Sequence, residues 1–179
     1  MNIYLIGYRC TGKTSVAKLL AQKLGMEFTD TDLLLEQQAG MHISDYVSRY
    51  GWESFRDLES EIISSLASRS GLAAATGGGI VLREKNIFSM KDTGIVVWLT
   101  ALEKTILARM RADENTRYQR PALSADPLEK EVINTLKQRT PLYENACHMQ
   151  VSTDGADIDQ VCETIIRSEY VSKHLGNPV

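Results

Sequence analysis

Ile3-Tyr4-Leu5-Ile6-Gly7-Tyr8-Arg9-Cys10-Thr11-Gly12-Lys13-Thr14 sets an apolar run of strand length directly against a loop bounded by glycines and closed by lysine and threonine. From Lys13 onward the apolar period changes, and Val16, Leu19, Leu20 and Leu24 share one helical face. Residues 7–14 match G-x-x-x-x-G-K-[ST] at every fixed position, between a strand and a helix, which is the context this phosphate-binding pattern requires. An ordinary glycine turn before a helix would not need that full match.

Each residue type in the loop has a chemical reason. Gly12 lets the backbone close around a phosphate, while the N–H groups opening the helix point at the anion along the positive end of the helix dipole. Lys13 reaches the β- and γ-phosphates, and the Thr14 hydroxyl is a hard oxygen donor suited to a Mg²⁺ ion bridging them. Cys10, Thr11, Gly12, Lys13, Thr14 and Ser15 are therefore the expected nucleotide contacts, with ATP and Mg²⁺ as the expected ligands. Cys10 stands where glycine's conformational freedom would be useful, so the loop must accommodate its Cβ. Its place near a helix N-terminus and Lys13 predicts a reactive thiol that bound nucleotide would shield.

Working outward, alternating strand and helix patterns continue to the end of the chain. Strands are expected at Ile3–Ile6, Glu27–Thr29, Leu72–Ala75, Ile95–Leu99 and Met149–Val151. Ile95 to Leu99 is a β-branched and aromatic run without alternation, as expected where both faces of a parallel sheet are covered. Asp30 or Thr31 can cap a helix carrying Leu33 to Leu35. A short helix at Ile43–Tyr50 precedes a longer amphipathic one bearing Trp52, Phe55, Leu58, Ile62, Ile63 and Leu66. A helix is expected from about Leu102 to Arg111, another with Val132, Ile133 and Leu136, and a last one with Ile158, Val161 and Ile165, capped by Asp157 and Gln160. Residues 112–124 are polar, charged and proline-bearing, and read as a mobile lid. The expected fold is a three-layer α/β/α arrangement with a central five-stranded parallel sheet, forming one domain over residues 1–179.

Bulk properties narrow the partners. At 179 residues and 43% apolar content, the chain can bury one substantial core. A net charge of −3 with both signs mixed argues against nucleic acid or an anionic membrane as partner. Three cysteines without C-x-x-C spacing suggest neither a disulfide framework nor a zinc site, which fits a cytoplasmic protein. Met1 to Ile6 has no basic leader region and is far too short to span a bilayer. A monomer acting on a small molecule is the expectation.

A phosphate loop alone specifies a triphosphate and not a reaction. The N-K-x-D tetrapeptide of guanine readers is absent, and a large ATPase would need more chain. Further motifs follow in order: F-x-D-x-D at Phe28 to Asp32, G-W-E-S-F-R-D at Gly51 to Asp57, T-G-G-G at Thr76 to Gly79, R-P at Arg120-Pro121 and R-x-P-L-Y at Arg139 to Tyr143. Together with the loop they resemble the shikimate kinase family over nearly the whole chain.

That resemblance implies transfer of the ATP γ-phosphoryl group to the 3-hydroxyl of shikimate, a ring with one carboxylate and three hydroxyls. By resemblance Arg56 and Arg139 clamp the carboxylate, and planar guanidinium forks suit that task. Asp32 accepts from ring hydroxyls and serves as general base, and Gly78 offers its backbone N–H. The substrate-binding region would cover about 31–61. Asp30 joins Thr14 near the metal, through a metal-bound water. Lys13, Asp32 and Arg120 are the implied catalytic set, Arg120 swinging onto the phosphates from the lid, with Arg117 a nearby competitor. Arg109 or Arg111 lies where the family places an arginine against adenine. R-P-A-L at Arg120 to Leu123 departs from the R-P-L-L of many relatives.

Alternatives remain from the residues themselves. Arg56 could pair with Glu59 on a helix surface, Asp30 and Asp32 could merely start a helix, and Arg139 before Pro141 could be a plain C-terminal charge. The rival functions are a kinase for a related acceptor such as gluconate, and a nucleotide-binding regulatory module without turnover.

Overall fold

The computed structural model describes residues 1–112, 123 and 127–175, so Arg117, Arg120, Pro121 and most of the expected lid lie outside the described residues. Five strands, β1 (Asn2–Ile6), β2 (Glu27–Asp30), β3 (Leu72–Ala75), β4 (Gly94–Thr100) and β5 (Met149–Ser152), pair in the order β2-β3-β1-β4-β5, and every pairing is parallel. Each expected strand is present, β3 with the expected bounds and the others extended by a residue or two.

The helices are α1 (Lys13–Leu24), α2 (Thr31–Ala39), α3 (Ile43–Ala67), α4 (Glu84–Thr93), α5 (Glu103–Ala112), α6 (Leu128–Ala146), α7 (Ile158–Ile166) and α8 (Glu169–Leu175), with a 3₁₀ turn at Ile80–Leu82. The alternation of side chains along β1 explains the layers. Ile3 and Leu5 join Val16, Ala17 and Leu20 of α1 and Val161 and Ile165 of α7 on one face. Tyr4 and Ile6 join Ile63 of α3, Met90 of α4 and Tyr143 of α6 on the other. Both faces of the central strands are covered by apolar side chains, so strands without polar alternation are what burial selects there.

Three departures from the sequence expectations have physical causes. The two helices expected on either side of Gly51 run on as α3, broken at Gly51 itself (φ 80°, ψ 169°), a conformation glycine enters without steric cost. The expected helix carrying Val132 and Leu136 continues through Pro141 to Ala146. A proline inside a helix costs about 3 kcal/mol, but Tyr143 and Ala146, both fully buried, lie beyond it. Burial of an aromatic of that size offsets the loss. The segment from Ile80 to Thr93, for which no element is expected, supplies the 3₁₀ turn and α4, whose apolar signal is thin because its buried apolar residues are Ile87 and Met90.

The capping expectations hold. Asp30 accepts from the Asp32 N–H at 3.0 Å, and Asp157 and Gln160 form a reciprocal capping box.

The strand order places β1 centrally, with β2 and β3 on one side and β4 and β5 on the other, so that the chain reverses direction across it between β3 and β4. At such a switch point the carboxyl ends of parallel strands leave a crevice where ligands bind. Gly7 opens that crevice at φ +137°, and a Cβ there would lie 2.4 Å from the Leu99 carbonyl oxygen, a backbone atom with little room to yield. Gly7→Ala should therefore destabilise the fold by on the order of 3 kcal/mol, read as a lowered urea midpoint at unchanged m. A midpoint equal to the parent's would contradict this close approach.

Candidate active site

The loop after β1, the end of β2, the middle of α3, the glycines after β3 and the middle of α6 meet at the carboxyl edge of the sheet. In the loop, Lys13 is 7% exposed and its Nζ donates to the carbonyls of Gly7 (2.9 Å) and Tyr8 (2.8 Å). The ammonium is thus folded over the loop's concave side. Gly12 has φ +92° and Cys10 has φ +61°, the latter unique among non-glycine residues described. Cys10 accordingly carries the strain that its sequence position suggests. The Thr11 hydroxyl donates to the Tyr8 carbonyl at 2.8 Å, stiffening the turn from within.

Thr14 Oγ1 donates to Asp30 Oδ2 at 2.8 Å. Two hard oxygens from different elements therefore stand together at the mouth of the loop. Mg²⁺ keeps several waters and uses one or two protein oxygens beside substrate phosphates, so the pair suits it.

On one side of the loop, Thr11, Gly12, Ser15, Arg109, Thr153 and Ala156 border a cleft. Arg109 spans it, donating to the Cys10 carbonyl (3.1 Å), to Thr153 Oγ1 (3.0 Å) and to the Thr153 carbonyl (3.0 Å). Arg111 instead lies exposed on Glu129. Of the two arginines left open by sequence, Arg109 is the one placed beside the phosphate loop.

On the other side, Tyr8, Arg9, Asp32, Trp52, Phe55, Arg56, Glu59, the three glycines 77–79, Leu123 and Arg139 line a cleft. Helical spacing in α3 after the Gly51 break puts Trp52, Phe55, Arg56 and Glu59 on one side, all facing this cleft. Arg56 lies 5.2 Å from the Trp52 ring centroid and 4.9 Å from that of Phe55, and donates to Glu59 Oε2 at 2.6 Å. The i, i+3 pair weighed from sequence is real, but it is buried and lines the cleft instead of decorating a surface. Burial raises the Glu59 carboxyl above its ordinary range, although Arg56 pulls it down.

Arg139 Nη1 and the Tyr143 hydroxyl both donate to the Gly78 carbonyl, at 2.9 and 2.5 Å. Tyr143 also stacks on Trp98, and burial pushes its hydroxyl up to about 12, so it stays a donor at neutral pH. The contacts resolved at Gly78 thus use its carbonyl, where sequence suggested the amide. A Cβ on Gly79 would fall 2.3 Å from the Arg56 guanidinium, and one on Gly77 would fall 2.9 Å from Asp32 Oδ1. A side chain at either position would push these cleft groups out of place. Asp32, Arg56, Gly78 and Arg139 are therefore brought together, while Arg120 lies outside the described residues.

Sequence reasoning missed Glu59 as a cleft residue, Tyr143 as a strut and the pairing of Arg9 with Glu131 (2.5 Å). The last two are 122 positions apart in the sequence, which leaves no local signal that could have found them.

Cys10 gives a direct test of where nucleotide lies. Cys162 is fully buried with its thiol pushed up to about 11 by desolvation, and burial also raises the half-buried Cys147. Cys10 should be alkylated first by iodoacetamide, and ATP with Mg²⁺ should slow that labelling by roughly tenfold or more, read by peptide mass. Equal rates with and without nucleotide would place it elsewhere.

Three comparisons bear on this arrangement. The family model described as shikimate kinase matches residues 9–169. A shikimate kinase of Thermodesulfovibrio yellowstonii is 41% identical over 169 residues, covering 94% of this chain and 94% of the relative. Among solved structures, a shikimate kinase from Acinetobacter baumannii in complex with shikimate superposes with a TM-score of 0.86 at 33% identity, covering 92% of this chain and 90% of that one.

Proposed function

Because this chain belongs to the shikimate kinase family, we infer that it transfers the γ-phosphoryl group of ATP to the 3-hydroxyl of shikimate, giving ADP and shikimate 3-phosphate. The observation that carries this reading is the cleft in which Asp32, Arg56 and Arg139 face one small volume beside the phosphate loop. A generic nucleotide-binding module needs no such acceptor site. The family match separates shikimate from gluconate, which also bears a carboxylate and would satisfy the same arginines.

In this reading Arg56 and Arg139 hold the acceptor carboxylate. Glu59 keeps Arg56 in place, and the Gly78 carbonyl does the same for Arg139. Asp32 orients the 3-hydroxyl and takes its proton as the oxygen attacks. Cys10, Thr11, Gly12 and Ser15 surround the triphosphate, and a phosphate oxygen offers Lys13 a stronger, charge-assisted partner than the carbonyls it now binds. Thr14 and Asp30 would hold Mg²⁺, which neutralises charge on the phosphates when bound. Arg109 covers the adenine. Arg120 would add a further cation to the transferring group.

Catalysis in this scheme is positioning and charge neutralisation, as phosphoryl transfer through a loose transition state requires.

We read residues 1–179 as one kinase domain with a substrate region at about 31–61 and a lid at about 112–124, acting as a cytoplasmic monomer on small molecules and not on nucleic acid or membrane. No helix among the described residues is long and apolar enough to cross a membrane. A coupled ADP-release assay with ATP and Mg²⁺ across shikimate, quinate, gluconate and nucleoside monophosphates tests the function. Shikimate-dependent release is expected, and its absence would overturn the substrate assignment.

A further inference from the structure

Arg9 has no part in the scheme above, yet it lines the acceptor cleft from within the phosphate loop. The two sites are back to back here, since a Cβ built on Gly78 would lie 3.4 Å from the Gly7 carbonyl oxygen and 3.5 Å from the Arg9 nitrogen. Arg9 is 8% exposed, and a guanidinium that far from water is costly unless it has a partner. Glu131, 4% exposed and carried by the first turn of α6, supplies one: its Oε1 accepts from Arg9 Nη2 at 2.5 Å. Its Oε2 accepts from the Leu123 N–H at 2.9 Å, so one carboxylate ties the loop, α6 and Leu123 together.

A buried ion pair contributes little net stability compared with an apolar pair of similar volume. Its value at a cleft wall lies in the charge it presents there. Glu131 occupies one edge of a guanidinium that has five N–H donors, which leaves donor capacity for a ligand in the cleft that Arg9 lines.

We propose that Arg9 is a third acceptor-binding cation, carried by the phosphate loop and aimed along the cleft wall by Glu131, so that one loop touches both the triphosphate and the acceptor's carboxylate. Glu131 is a positioning residue acting through Arg9. The inference rests on the shikimate reading of the cleft.

Shikimate and its uncharged methyl ester are the probes, compared by steady-state kinetics on the full chain. Arg9→Met should raise the shikimate KM by about tenfold or more, while the ester KM and the ATP KM each move less than about threefold. Glu131→Gln should raise the shikimate KM about fivefold, and Arg9→Lys should retain part of the preference for acid over ester. Equal increases for acid and ester, or an equal shift in the ATP KM, would make the pair a structural brace and overturn the proposal. If Arg9→Met does not fold, parental acid-to-ester ratios in Arg9→Lys and Glu131→Gln overturn it as well. A parent enzyme inactive on shikimate would instead overturn the shikimate reading, and this inference with it.

Discussion

Asp32→Asn should lower turnover about a thousandfold while leaving ATP affinity nearly unchanged, because it removes a base and a charge at the acceptor and touches nothing on the triphosphate. The residue is well fixed: it sits in the first turn of α2, its N–H is held by Asp30 Oδ1 at 3.0 Å, and its carboxylate abuts Gly77. Asparagine preserves that shape, so the loss would report chemistry and not displacement. Turnover by the coupled assay, with ATP binding by calorimetry, separates the two terms. A variant turning over like the parent would exclude Asp32 as the base.

Lys13→Met should be comparably severe. Removal of a single preorganised charge facing developing negative charge typically costs on the order of 10²–10³ in rate. Here the same side chain also closes the loop, donating to the Gly7 and Tyr8 carbonyls. Both turnover and ATP affinity should therefore fall, turnover by about a thousandfold and affinity by about tenfold. The two variants differ in pattern: loss at Asp32 spares ATP binding, whereas loss at Lys13 does not. A Lys13→Met enzyme retaining parental affinity and rate would remove the loop from the mechanism.

The parts of this architecture that sequence revealed are those set by local chemistry. The phosphate loop was legible because its glycines, lysine and threonine each answer a requirement of the triphosphate at a definite spacing. The inner strands β1, β3 and β4 were legible because burial on both faces enriches them in apolar residues. Arg56 was ambiguous for the opposite reason: a charged residue three positions before Glu59 looks the same on a surface helix and on a cleft wall. The fold decides between them, by turning that side of α3 toward the glycines after β3. The run of α6 through Pro141 was hidden because propensity there opposes the packing of Tyr143 and Ala146, and packing wins. Arg9 and Glu131 met only when the chain folded, so nothing local announced them.

The central claim, phosphoryl transfer to one particular hydroxyl, is tested most directly by phosphorus–proton correlation NMR of the product made from ATP, Mg²⁺ and shikimate. One new phosphate-ester resonance coupled to the proton on ring carbon 3, formed in equal amount with ADP, is the predicted result. ADP without an ester, or an ester at another position, would contradict it.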